Sequence, residues 1–227
     1  MKKIVFALLT VSLGGCASVK AVPAPPQVIS DLQGGALTIV THAKPSFIAM
    51  TPGKGAFAMM GAFAAIADGN KLVETYQIPD PAHTVTAKLT PVLQDKFKTS
   101  AVKTISDLEE KITSDTALAA AAERQGVVLD VVTVGWGYSY FPLNWGRYNI
   151  GTNVNARLID ARSGKVIAQS HCIPPKEQQA NFPAPEPDKA PTHDEMMADN
   201  AALIKATIIK NADTCAAIIQ KNMFGGW

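Results

Sequence analysis

The chain has 227 residues, 21 of them basic and 19 acidic, for a formal net charge of +2. At 47% hydrophobic and 18% charged it is too apolar for a disordered chain, and its length suits one domain with a proper core. Lys2 and Lys3 lie in the first fifteen residues and no acid does, which leaves 19 residues of each sign beyond them. That balance does not indicate nucleic-acid binding, and no nucleic-acid partner is expected.

Lys2 and Lys3 precede a short apolar run, 4–13, that cannot span a bilayer. Such a run reads as a signal peptide, here residues 1–15. Leu13-Gly14-Gly15-Cys16 follows and resembles the lipobox of bacterial lipoproteins. The resemblance implies that the Cys16 thiol is diacylglycerated and that Cys16 becomes the first residue of the mature chain. Ala17, and not Asp, comes next. In the enterobacterial sorting pattern this favours the outer membrane. The expected location is thus the periplasmic face of the outer membrane of a Gram-negative bacterium, with the N-terminal lipid as the membrane contact. Residues 16–35 are small, polar and Pro/Gly-marked, and are expected to form a lipidated tether stiffened by Pro23, Pro25 and Pro26. A single domain then occupies 36–227.

The first strand signal runs from Ala36 to Met50, with Lys44-Pro45 as a break or an edge feature. Gly55 to Ala67 is uniformly small or apolar, with Asp68-Gly69 expected to stop it. A helix of this composition should be buried or partnered. A core helix on the sheet is the plain expectation, and a surface for lipid or a partner helix is the alternative. Residues 70–81 read as a connector. Val85, Leu89, Leu93 and Phe97 recur every four residues and predict a helix over 82–98. Pro91 either kinks it or opens a second helix capped by Thr90. A short strand at Ala101–Ile105 and a helix over 115–125, capped by Ser114 and ended by Gly126, come next.

Gly126 to Cys172 predicts three consecutive strands. In the first, Val128, Val132, Val134, Trp136, Tyr138 and Tyr140 are placed on one face together with Asp130, opposite Gly135, Gly137 and Ser139. The second alternates Tyr148, Ile150, Thr152, Val154, Ala156 and Leu158 against Asn149, Asn153, Asn155 and Arg157, one face in the core and one wet. Asp160 to Lys165 is a hairpin turn with Gly164 suited to positive φ. A Pro-rich loop over 173–191, with Phe182 as an anchor, leads to a capping box at Thr192–Glu195 and a long helix to about Asn222. The tail 224–227 is read as mobile. The expected fold class is α+β: a mixed sheet with a C-terminal antiparallel three-strand meander, helices packed on it, and a long C-terminal helix.

With Cys16 lipidated, Cys172 and Cys215 remain in an oxidising compartment, which favours a disulfide over two free thiols. The helix periodicity agrees. Met197, Ala201, Ile204, Ile208, Cys215 and Ile219 share a face, so Cys215 points at the sheet.

For chemistry, the sequence contains no GxSxG, no HExxH and no metal-spaced Cys/His cluster. No catalytic residue, no metal and no cofactor is expected. His171, Cys172 and His193 match no common ligand spacing. Asp130 on a strand's apolar face is either a carboxylate paired with an arginine or the perturbed acid of a hydrolase working with a histidine. Trp136, Tyr138, Tyr140, Phe141, Trp145, Arg147 and Tyr148 form a candidate binding patch for peptide, glycan or lipid, the alternative being a turn packed on its own sheet.

The element order with the hairpin LIDARSGKVIAQ resembles the small α/β domains of envelope lipoproteins. These include the curli-secretion lipoprotein, the lipoprotein activators of peptidoglycan synthases and the N-terminal domain of the Tol-system propeller protein. The stretch VGWGYSYFPLNWGRYNIGTNVNARLID, with a later Cys in a terminal helix, is similar to proteobacterial outer-membrane lipoproteins. The resemblance implies a non-enzymatic binding or assembly component of the cell envelope with an envelope protein as partner. A transport auxiliary carrying hydrophobic cargo through Gly55–Ala67 is the second expectation.

Overall fold

The computed structural model describes residues 20–106, 114–174 and 186–225. Cys16, Phe182 and the end of the tail lie outside them. The fold is α+β.

Among the described residues, six strands build one mixed sheet: β1 (Ala36–Val40), β2 (Phe47–Ala49), β3 (Ala101–Ile105), β4 (Val127–Phe141), β5 (Asn144–Asp160) and β6 (Lys165–Cys172). Their order is β3-β1-β4-β5-β6, with β2 pairing β4 beyond the end of β1. β1 and β2 run parallel to β4, and β4-β5-β6 is the antiparallel meander. The first strand signal is therefore two strands. Pro45 cannot donate to a ladder, and its carbonyl instead accepts from Trp136 Nε1 at 3.0 Å. The β4–β5 turn marks the tip of the molecule. Gly126 and the β5–β6 turn, where Gly164 has φ +67, mark its base.

Among the described residues, six α-helices accompany the sheet: α1 (Pro26–Asp31), α2 (Pro52–Gly55), α3 (Ala58–Tyr76), α4 (Pro81–Phe97), α5 (Asp115–Ala121) and α6 (His193–Phe224). α4, α6 and α3 cover one face, and α5 covers the base half of the other. On α4, Val85, Leu89, Leu93 and Phe97 are all buried, as their period requires. The helix passes unbroken through Pro91. The capping box of α6 forms, with both Thr192–Glu195 bonds made. Cys172 and Cys215 are bonded at a Cα separation of 5.5 Å.

Four expectations need correction. The tether is shorter than residues 16–35. Val22 bridges Gln169 at the free edge of β6, the Ala24 amide donates to the Met223 carbonyl at 2.7 Å, and Ala24 and Leu32 are buried. Pro26 starts α1, the N1 role that suits proline, and does not stiffen a linker. Second, Asp68-Gly69 does not stop α3, and residues 70–76 of the supposed connector are its last turns. Asp68 pairs with Lys54 at 2.7 Å, and Gly69 lets the helix lie against the Phe47 carbonyl, where a Cβ would overlap. Third, β4 carries a bulge between Thr133 and Gly135. The extra residue reverses the alternation, so Leu129 and Val131 share the helix-covered face with Trp136 and Tyr138, while Val134 is exposed. Fourth, α6 is two segments. Ala198 to Ala201 leave the helical region, and Asp199 and Asn200, among the residues that tolerate it best, hold φ of +50 and +58. No helix among the described residues is long and apolar enough to cross a membrane.

Candidate functional site

The tip brings two chain segments together. β2 leads through the Thr51 cap into α2, and Gly55 lies against the Tyr140 ring near the end of β4. A side chain at Gly55 would overlap the Tyr140 hydroxyl. This contact places the start of α3 beside the β4–β5 turn. α3 is seated through Gly61, Ala65, Gly69 and Val73, one residue every turn. At Gly61 an added Cβ would overlap the Lys54 carbonyl, so α2 and α3 touch backbone to backbone. The large residues then face outward: Phe57, Met59, Met60 and Phe63 are 67% to 79% exposed. Leu143 and Trp145 on the turn are also exposed. The plain expectation for Gly55–Ala67 fails here. The segment's buried residues, Gly61 and Ala65, are small, and its aromatic and methionine side chains form an apolar surface.

The aromatic patch divides. Trp136, Tyr138 and Tyr148 are buried, with Phe47 edge-on to Trp136 at 5.0 Å and Tyr138 edge-on to Tyr148 at 5.6 Å. Burial first, then Tyr148 and Asp68, push the Tyr138 hydroxyl up to about 12. These three rings are core: the bulge turns Trp136 and Tyr138 under α6, and the alternation of β5 places Tyr148 there too. Tyr140 and Phe141 are half-buried, and Trp145 stays outside. Arg147 donates to the Ala190 carbonyl at 2.8 Å and sits 3.6 Å from Glu195, so it ties the turn to the start of α6.

Behind the tip, no helix among the described residues covers the sheet face away from α6. Gly135, Ser139, Asn149, Gly151 and Asn153 line a shallow cleft of about 400 Å³ that Ile173 closes at one side. Nothing stands within 4 Å of where a Cβ would be at Gly135 or Gly151. At Gly137, by contrast, the Ile48 backbone lies where a Cβ would be.

Nearer the base, Asp130 is 1% exposed. His42 Nε2 lies 2.5 Å from its Oδ1, and Arg157 Nε donates to its Oδ2 at 2.5 Å. Arg157 also donates to Asp115 of α5 at 2.5 Å. Burial alone would raise the Asp130 carboxyl, but His42 and Arg157 outweigh it and hold it below the usual value. Both readings of Asp130 meet here, since an arginine and a histidine contact it together. His42 sits 88 residues away in sequence, and no local signal marks it. Of the residues weighed as metal ligands, Cys172 is in the disulfide and His171 bonds Asn153 at 2.6 Å. No metal-type cluster occurs among the described residues.

No family model matches the chain, and no curated protein does. A solved structure, a neuraminyllactose-binding hemagglutinin homolog from Helicobacter pylori, aligns over 88% of this chain and 94% of its own. The identity is 8% and the TM-score 0.18, a level at which no common fold follows.

Proposed function

We propose that the protein is a lipid-anchored component of the periplasmic face of the outer membrane that works by binding and not by catalysis. The observation that carries the binding reading is the apolar surface of α2 and α3. Monomeric domains seldom leave four neighbouring large apolar side chains in water unless something covers them. The anchor rests on Leu13-Gly14-Gly15-Cys16. The same surface supports a narrower version of the role, handling of a hydrophobic cargo.

A hydrolase built on Asp130 and His42 is the second reading, favoured by their direct contact. The same geometry suits a structural clamp better. Both Asp130 oxygens are engaged, and Arg157 continues the chain of contacts to α5.

Fractionation tests the anchor. Cys16→Ala should move the protein from the membrane pellet to the soluble periplasm, and unchanged sedimentation would refute the lipid tether. Crosslinking in intact cells then names what the bound surface touches.

A further inference from the structure

We propose that the apolar end of the molecule is a membrane-seating face. Phe57, Met59, Met60, Phe63, Leu143 and Trp145 lie in the interfacial zone of the leaflet that holds the tether. The choice of occupant rests on the lipid anchor proposed above.

The first support is the inverted packing of α3. Its seat on the fold is Gly61, Ala65, Gly69 and Val73, and its large side chains point away. Folding uses the small residues and leaves the large ones exposed, so the large ones serve a contact outside the domain. The surface is also uncharged. No Asp, Glu, Lys or Arg falls between Gly55 and Ala67, and Asp68, the first acid beyond, is paired with Lys54. An uncharged apolar helix face matches the acyl–headgroup boundary, where interfacial helices lie.

The second support is the turn. Trp145 Nε1 donates to the Pro142 carbonyl at 2.6 Å, which closes the ring's one donor within its own turn. What the ring offers outward is apolar, beside a fully exposed Leu143. Tryptophan favours this depth in a bilayer. The contact of Gly55 with Tyr140 makes turn and helix one surface.

The third support is the placement of Val22. Val22 pairs antiparallel with Gln169, and β6 runs from base toward tip. Followed backward from Val22, the chain therefore heads toward the apolar end. Cys16 stands six residues before Val22, a reach of at most ~20 Å. A tether that short holds the domain against the leaflet. Val22 is level with Arg157, twelve residues of β5 or roughly 40 Å from Trp145, so the domain leans over for the tether and the apolar end to touch one leaflet together.

The test uses the full lipidated protein reconstituted in phosphatidylethanolamine–phosphatidylglycerol vesicles. Cys172 and Cys215 are bonded to each other, and Cys16 carries the lipid, so one introduced thiol takes an environment-sensitive fluorophore. The label goes at Met60→Cys, and at Gln94→Cys near the base as control. Nitroxide-bearing lipids should quench the Met60 label at least twofold and leave the Gln94 label unchanged. Adding Phe57→Ser and Phe63→Ser should abolish the difference, since each buried ring is worth about tenfold in partition. Equal water access at both labels would overturn the proposal. So would a photocrosslinker at Met60 that captures protein and not lipid in cells, whether a second copy or another chain. Mass spectrometry of the N-terminal peptide separates the two readings. A full-length Cys16→Ala chain whose Met60 label still seats in vesicles keeps the face without the anchor. An acylated Cys16 with a water-exposed Met60 label keeps the anchor and removes the face.

Discussion

Asp130 shows how this sheet keeps a charge inside. Its carboxylate is anionic because His42 and Arg157 both reach it, and Asp115 occupies the far side of the guanidinium. The carboxyl is held below the unfolded value of about 3.9. Its stabilising contribution is therefore present above that pH and is lost as pH falls through the lower, folded value. Thermal melts of wild type should weaken steeply below about pH 4. Asp130→Asn should flatten that slope and, at neutral pH, cost about 3 kcal/mol or more, because Arg157 and His42 lose the anion they share. A melt whose acid limb is the same in both proteins would contradict this account. The charged face itself was legible in the alternation of β5, which places Arg157 opposite the core. The partner from the loop after β1 was not, since only the sheet order sets His42 beside β4.

Among the elements, α3 separates what holds the fold from what it displays. Phe63→Ser should change stability by no more than about 0.5 kcal/mol, the scale of an exposed substitution. Gly61→Leu should lower the melting temperature sharply, since its side chain would enter the Lys54 backbone. Comparable losses in both variants would mean that the outward face carries packing energy after all. The sequence read α4 correctly because its large residues keep a four-residue period against polar neighbours. It misread α3 because Gly, Ala, Met and Phe are all apolar by type, and type alone does not say whether the small or the large ones are buried. The β4 faces failed for another reason. A single bulge at Val134 reverses side-chain direction, and nothing in a run of β-formers announces it.

For the whole molecule, the meander and the closing helix are joined covalently where the sequence expected. Replacing Cys172 and Cys215 together with serine should lower stability by up to about 4 kcal/mol, the loop-entropy limit for their 43-residue separation. Equal denaturation midpoints for wild type and the double variant would show that the bond adds nothing to packing. The α+β class, the meander and the terminal helix follow from pattern. The two-sided outcome at the tip, rings beneath and methionines outside, follows from contacts between segments far apart in sequence.

The disulfide has a mechanical meaning as well. A pull on the chain ahead of Val22 reaches the body at Gln169 of β6 and, through Ala24, at Met223 of α6. Those two elements are the pair that Cys172 and Cys215 rivet together. The load enters by shear along an edge strand that cannot peel past Cys172 without dragging the long helix with it. A tether at Cys16, as proposed, would thus pull on the covalently braced part of the domain.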